Sequence, residues 1–479
     1  MNYSMVRYIL CRVLEFQALF LGLPCIVALI YKEKSGWAYF IVLLACLLVG
    51  RVGKRVTPKS NVFYAREGFV AVSLSWIVLS LTGALPLYFS GEISNYIDAL
   101  FETVSGFTTT GATMLVDVEA LSQCSLFWRC FINWIGGMGV LVFMLAILPL
   151  AGGYSMHLLR AEAPGHNVGK LVPRVRHTAR LLYSIYVVMT VVLILLFLLT
   201  GVRPFDALTL AFGTAGTGGF AILNDSVASY SVLVQIIIII FMIVFGINFH
   251  VFYLVLAKKP FQAFKNEEFR YYMLLIGISI VLVTWNIWGE FDSVFQTIHQ
   301  AVFQATAIIT TTGYSTVDYV KWPVFSQTIL IIMMFIGACS GSTGGGMKIS
   351  RVVIILKILK NEISHLIQPK RIRQIHFEKN VVPNEVLKSI QVYAIAYIMI
   401  FAVSVLLVSL DKMDPYTNIT AVAALLNNIG PGFGLVGPMG NYGIFSSPIK
   451  CVLMFDMLVG RLELFPLLVM LSPSTWKKR

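Results

Sequence analysis

Three short stretches of an otherwise strongly apolar chain combine threonine with glycine: TTTGAT at Thr108–Thr113, GTGGFAI at Gly216–Ile222 and TTTGYST at Thr310–Thr316. A fourth, NNIGPGFG at Asn427–Gly434, has the same glycine-centred form. The central glycines Gly111, Gly219, Gly313 and Gly430 recur at intervals of roughly 100 residues, as internal repeats do. Glycine lets the backbone adopt conformations closed to residues with a Cβ and approach an axis closely. Four such loops around one axis could turn carbonyl oxygens inward to replace the hydration shell of an ion. Threonine adds a hydroxyl, as a further oxygen ligand or as a brace. The loops carry no Asp or Glu, so neutral oxygens suit a hard monovalent cation better than a divalent one, which favours carboxylates. Small residues of this kind also line packing faces of membrane helices, the plainer reading for GGMGV at Gly136–Val140.

The elements around the loops fit that chemistry. Hydrophobic residues make up 58% of the 479 and charged residues 12%, against about 25% charged in soluble domains. Mean hydropathy is +0.81. Stretches such as QALFLGLPCIVALIY, LLYSIYVVMTVVLILLFLLTG and VLVQIIIIIFMIVFGINFHVFYLVL provide the roughly 20 apolar residues that cross a bilayer as a helix. They lack period-two alternation, which argues against a β-barrel. The first segment lacks the charged start and small-residue cleavage site of a signal peptide and is read as a mature span.

A shorter apolar segment precedes each glycine-centred loop: NYIDALFETVSG (95–106), PFDALTLAFGTA (204–215), FDSVFQTIHQAVFQATAI (291–308) and PYTNITAVAALL (415–426). Ten to twelve helical residues reach only about half-way through a bilayer. The chain must then return through non-helical backbone, tolerated at membrane depth only where protein shields it or it lines a cavity. Each unit therefore reads as span, pore helix, extended loop and span. Two crossings per unit return the chain to its starting side, so the four units run parallel around an axis along the membrane normal, unlike inverted repeats. The pore helices would aim their partial negative C-terminal ends at the loops, favouring a cation.

The expected fold is an all-α polytopic membrane protein: four parallel span–pore helix–loop–span repeats around a central pore, plus two extra N-terminal spans. The divisions expected are an N-terminal two-helix extension (1–62) and repeats at 63–160, 161–265, 266–375 and 376–479. The formal net charge is +13, with basic residues concentrated in 51–66, 160–180, 258–270, 348–379 and the final KKR. Intervening loops such as Thr113–Phe127 and Gly432–Ser447 carry no Lys or Arg. That asymmetry puts the basic loops and both termini in the cytoplasm, although the YKEKSG loop (Tyr31–Gly36), placed outside, fits it less well. It also argues against a nucleic-acid-binding face, since the charge sits at span ends. The seven cysteines show neither CxxC nor Cys/His ligand spacing, so they suggest neither zinc nor a disulfide framework. No Ser/His/Asp set or metal-ligand cluster is present, so an enzyme is not expected.

Two features lie outside the loops. GACSGSTGGGMK (Gly337–Lys348) interrupts what would otherwise be one span from Phe325 to about Asn361, with too much Gly and Ser for a stable helix interior. It loosely echoes a phosphate-binding loop, but Met347 separates Gly346 from Lys348 and no Ser or Thr follows the lysine. A helix kink and a flexible loop closing the pore are the remaining readings. Arg461 lies within the apolar run KCVLMFDMLVGRLELFPLLVML, where an arginine costs roughly 2.5–3.5 kcal/mol and must face water or a partner. It would sit below the loops as a positive charge or pair with another helix; Glu463, two residues on, points the wrong way to be that partner.

These residues together resemble the Trk/Ktr/HKT superfamily of potassium-uptake proteins, specifically its TrkH/TrkG branch. The likeness rests on REGF (Arg66–Phe69), SGFTTTGAT, IGGMGV, GACSGSTGGGMK, NNIGPGFG and GRLELF, and the two spans before Arg51 favour TrkH over the shorter Ktr pore subunit. The resemblance implies a K+ pathway with pseudo-fourfold symmetry in the bacterial inner membrane. Its potassium-binding residues would be Thr109, Thr110, Gly111, Thr217, Gly218, Gly219, Thr311, Thr312, Gly313, Asn428, Ile429 and Gly430. A gate would be formed by Gly341, Ser342, Thr343, Gly344, Gly345, Gly346, Lys348 and Arg461. The resemblance further implies a homodimer, contact with membrane lipid, a cytosolic TrkA-type nucleotide-binding regulatory subunit and no organic cofactor. Glycine at position 111 goes with potassium selectivity in that family. A proton- or sodium-coupled symporter using the same loops is the alternative, with Asp456 and Glu463 as candidate proton carriers.

Overall fold

The computed structural model describes residues 1–56, 64–139, 172–256, 258, 260–369, 374–378 and 380–477. Helices α1 (Tyr3–Tyr31) and α2 (Gly36–Lys54) form an antiparallel hairpin. Close crossing is possible because α2 presents glycine to α1: a Cβ at Gly53 would lie 2.3 Å from Cys11 Sγ, and one at Gly50 2.8 Å from the Cys11 carbonyl.

Four units follow. The first comprises α3 (Ala65–Phe89), α4 (Tyr96–Phe107) and α5 (Gln123–Gly137). The second comprises α6 (Val172–Leu199), α7 (Pro204–Gly216), α8 (Val232–Gly246) and α9 (Phe249–Leu256), with the short α10 (Pro260–Phe264) leading out. The third comprises α11 (Glu267–Asn286), α12 (Val294–Ile309), α13 (Val324–Ile336) and α14 (Ile349–Ile367). A two-stranded antiparallel hairpin, β1 (His376–Phe377) and β2 (Asn380–Val381), then leads to the fourth: α15 (Asn384–Val408), α16 (Pro415–Leu426), α17 (Ser447–Arg461) and α18 (Phe465–Leu471). Among the described residues six helices are long and apolar enough to cross a membrane.

Helices α4, α7, α12 and α16 have 12, 13, 16 and 12 residues, the half-length expected from the sequence. Their starts are set by local chemistry. Asn95 and Ser293 accept hydrogen bonds from the first-turn amides of Ile97 and Gln296, and Pro204 and Pro415 occupy first-turn positions where no amide hydrogen is needed. At α16 the exposed Asp414 accepts from Thr417 Oγ1 at 2.7 Å and Thr417 N at 2.8 Å, and these bonds hold its carboxyl below the usual carboxylate range. A depressed folded-state value means the cap stabilises above the unfolded pKa of about 3.9 and is lost as pH falls through the folded value. Asp414→Ala is expected to cost about 1 kcal/mol or less, solvent screening included. In thermal unfolding the difference from the unsubstituted protein should be present at pH 7 and shrink as the pH falls through the depressed folded-state value.

The sequence suggested an interrupted second span only in the third unit, whereas at least three units have one. Helices α8 and α9 meet at 91° across Ile247–Asn248. Helix α13 stops at Ile336, and α14 begins only at Ile349. Helix α17 ends at Arg461, where Glu463 and Leu464 turn left-handed with φ of 56° and 66° before α18. In the first unit α5 ends at Gly137, and Val140 onward lies outside the described residues. Arg461 is therefore the last residue of a helix, at a turn between two helices, rather than a mid-span residue. An apolar run hides such breaks because hydropathy records burial, not backbone course.

Candidate ion-conducting site

All four pore helices end in the same way. Thr109, Thr217, Thr311 and Asn428 lie in the left-handed region, with φ of 54°, 50°, 57° and 55°. Their amides bond back to Gly106, Thr214, Ile308 and Leu425 at 3.0–3.1 Å. The next residues reach back five positions: Thr110 N to Ser105 O at 2.8 Å, Gly218 N to Gly213 O at 3.0 Å, Thr312 N to Ala307 O and Ile429 N to Ala424 O at 2.9 Å. This is the left-handed helix ending that satisfies orphan carbonyls. A non-glycine residue in that region costs on the order of 1–2 kcal/mol, and the same strain at four matched positions is the kind that persists at functional sites. Both amides are used by the helix, so the backbone groups left for other partners are carbonyl oxygens.

The glycines then close a ring. A Cβ on Gly111 would lie 2.0 Å from the Gly218 carbonyl oxygen, one on Gly219 1.9 Å from Thr312 O, one on Gly313 1.8 Å from Ile429 O, and one on Gly430 2.6 Å from Thr110 O. Loop one touches two, two touches three, three touches four and four touches one. The contacts thus close in a cycle through Gly111, Gly219, Gly313 and Gly430 and the residues before them, Thr110, Gly218, Thr312 and Ile429.

Side chains hold the ring from behind. Thr110 and Thr312 hydroxyls bond to those of Thr108 and Thr310 at 2.7 and 2.8 Å, and the latter pair bond to helix carbonyls. Asn428 Nδ2 donates to Thr110 Oγ1 at 3.0 Å and Met457 O at 2.9 Å, joining loops four and one. Tyr442 donates to Gly430 O at 2.7 Å. The buried Thr109 hydroxyl has no hydrogen-bond partner within the protein.

Nothing in the sequence pairs Glu102 with Arg129, yet the two form a buried brace. Glu102 on α4 and Arg129 on α5 are 0% and 1% exposed at their side chains and pair at 2.6 Å. Glu102 accepts from Thr113 Oγ1 at 3.0 Å and Met114 N at 3.0 Å, fixing the exit of loop one. Arg129 donates to Ala221 O at 3.3 Å and lies 4.3 Å from the Phe220 ring, fixing loop two. The available signal was an arginine inside FWRCFINW, which in an apolar segment requires a partner. Glu102→Ala would leave that guanidinium buried and unpaired, and is expected to destabilise the protein by about 3–5 kcal/mol. Thermal unfolding in detergent would register this as a large drop in midpoint.

The interrupting segment Gly337–Lys348 lies against the ring. Gly337 and Gly346, with φ of 72° and 78°, meet at its base, where a Cβ on either would come within 2.7 Å of the other. Gly345 N donates to Thr311 Oγ1 at 2.6 Å, and a Cβ on Gly345 would lie 2.4 Å from Asn427 O. Gly344 sits near Thr310 O, and Thr217 Oγ1 donates to Thr343 Oγ1 at 3.2 Å. Lys348 Nζ folds back onto Gly344 O, Ser342 Oγ donates to Cys339 O at 2.6 Å, and Gly341 O accepts from Phe249 N at 3.1 Å. Arg461 donates to Thr343 O at 2.8 Å, to Gly137 O at 3.0 Å and to Gly136 O. Of this segment Thr343, Gly344 and Gly345 touch the loops directly, and Arg461 and Lys348 bond to its backbone. Glu463 pairs with Arg351 rather than Arg461. Asp456 accepts from Ser404 Oγ at 2.6 Å on α15, and its second oxygen has no hydrogen-bond partner within the protein.

Comparison with known proteins fits this geometry. The family description "TrkH: Cation transport protein" matches residues 36–478. The Trk system potassium uptake protein TrkH of Salmonella typhimurium is 36% identical over 469 residues, covering 95% of each chain. TrkH of Halomonas elongata is 33% identical over 486 residues and covers 100% of both chains. The crystal structure of the potassium transporter TrkH from Vibrio parahaemolyticus superposes with a TM-score of 0.89 at 31% identity, covering 100% of each chain. The chain therefore belongs to the TrkH family, a family of membrane cation transporters rather than enzymes.

Proposed function

We propose that this protein takes up potassium through the ring of four loops, with K+ passing as cargo between their carbonyl oxygens. The observation that carries the reading is the cyclic closure of Gly111, Gly219, Gly313 and Gly430 onto the next loop's carbonyl. Neutral oxygens in a rigid ring can replace the hydration of a monovalent cation, and pore-helix C-termini add partial negative charge. The potassium-uptake names of the relatives support the choice of ion.

On this reading Gly341–Gly346 and Lys348 form a gate, with Arg461 as the cationic strut that seats it. The basic segments face the cytoplasm of a bacterial inner membrane, with both termini on that side. The division into a two-helix extension (1–62) and repeats at 63–160, 161–265, 266–375 and 376–479 belongs to the same proposal. So do a homodimer and a cytosolic TrkA-type regulatory subunit docking on the basic segments, of which 160–171 lies outside the described residues.

The test is rubidium uptake into liposomes containing the purified protein, competed by potassium, sodium or lithium, with and without an imposed pH gradient. Competition by potassium alone, indifferent to the pH gradient, is the expected result. Equal competition by sodium would overturn the ring as a potassium filter. A requirement for the pH gradient would favour coupled symport instead, a reading that Asp456 keeps open with its half-partnered carboxyl.

A further inference from the structure

We propose that Glu268 positions the intramembrane loop in its seated state, acting as a latch across the loop's base. This role rests on reading that loop as the gate of a potassium pathway. Glu268 lies in the first turn of α11 and is 2% exposed. Its Oε1 accepts from Ser340 N at 2.7 Å and from Ser350 N at 3.2 Å. These two amides flank Gly341–Ile349, so one oxygen pinches both ends of the loop together. The hydroxyls of Ser340 and Ser350 bond to each other across the same base.

The second oxygen extends the clamp. Glu268 Oε2 accepts from Asn248 Nδ2 at 3.3 Å, and Asn248 occupies the break between α8 and α9. The neighbouring Phe249 amide donates to Gly341 O at 3.1 Å. A single buried carboxylate therefore joins the interruption of the second unit to that of the third. Its donors are all neutral, so the ionised acceptor gives each bond the added strength of charge assistance. With the base fixed, the loop moves as a flap hinged between Ser340 and Ser350.

The same helical turn also faces away from the loop. Asn266 Nδ2 donates to Glu378 Oε1 at 2.5 Å, and Glu267 accepts from Glu378 N at 3.0 Å and from Lys357 Nζ. Three consecutive residues thus tie the β1–β2 hairpin on one side to the gate's base on the other. A pull on the hairpin would reach the latch through one turn of helix, without passing through the ring.

The experiment compares Glu268→Ala and the near-isosteric Glu268→Gln with the unsubstituted protein in liposomes, reading basal rubidium uptake and its competition by potassium and sodium. Glu268→Ala is expected to raise basal uptake about tenfold or more, since charge-assisted bonds that seat the loop are lost. Glu268→Gln keeps the shape but not the charge and is expected to leak severalfold. Both should retain the competition pattern of the unsubstituted protein, because Glu268 touches no ring residue. Basal uptake unchanged in either folded variant would overturn the latch. Raised uptake with lost discrimination would also overturn it, since that would place Glu268 in support of the ring. Absence of rubidium uptake by the unsubstituted protein would instead count against the potassium pathway itself.

Discussion

Gly313→Ala is expected to reduce rubidium uptake by about 100-fold, the scale of a 1 Å misplacement in a preorganised site. A Cβ there would lie 1.8 Å from the Ile429 carbonyl oxygen and 2.9 Å from Pro431 Cδ. Nothing at that distance is a flexible side-chain end, so the fourth loop must move by more than 1 Å. The residue is also left-handed, with φ of 75°, so alanine adds backbone strain on the order of 1–2 kcal/mol. Both penalties fall on the ring of loops rather than on the helices that carry the fold. The distances rank the series: Gly313 and Gly219 most severe, then Gly111, then Gly430 at 2.6 Å. Gly277→Ala in α11 has open space within 4 Å and ordinary φ, and should transport normally. Normal uptake by a folded Gly313→Ala protein would mean that ions do not cross through this ring.

Arg461→Ala should act in the opposite direction, raising basal uptake by at least about tenfold. Its guanidinium joins Thr343 O in the interrupting loop to Gly136 O and Gly137 O at the end of α5. Hydrogen bonds from a charged donor are worth about 1.5–3 kcal/mol each, so losing them weakens the seated loop. Removing a cation beneath the ring also lowers the electrostatic barrier to ions leaving it. Arg461→Lys retains the charge but cannot span two carbonyl groups with a planar fork, and should give intermediate uptake. Unchanged uptake in folded Arg461→Ala would remove the residue from the gate.

Arg461 and Glu268 separate two kinds of effect. Both bear on the seated loop and not on the ring oxygens, so their substitution should change how much passes and not which ion. The glycine substitutions and loss of the Glu102–Arg129 pair act on the ring or its immediate support. For them flux, discrimination or stability should all suffer. Measuring competition together with flux divides the two groups.

Much of this organisation was legible in the sequence. Composition and apolar runs of about 20 residues require helices in lipid, because no other open structure satisfies its backbone there. Half-length segments before Gly111, Gly219, Gly313 and Gly430 indicated pore helices, since a short apolar helix cannot cross. The interruption at Gly337–Lys348 was visible because seven of its residues are Gly or Ser.

What the sequence could not determine depends on contacts between residues far apart in the chain. The order in which the four loops meet rests on Gly430 reaching Thr110, a closure no local pattern encodes. The break at Ile247–Asn248 lies in a run apolar enough for a continuous span, and the turn after Arg461 has no Gly- or Ser-rich segment to mark it, so packing against the neighbouring pore helices reveals both. Gly460, for example, sits where a Cβ would be 2.1 Å from Leu426 O. Partner choice for buried charge was equally hidden. Glu102 could be paired with Arg129, and Arg351 with Glu463, only once helices distant in sequence were placed side by side. The sequence by itself determined which segments are helical, apolar and half-length, because those properties follow from residue type and spacing. Tertiary structure alone decided which oxygens converge, because convergence depends on long-range packing geometry.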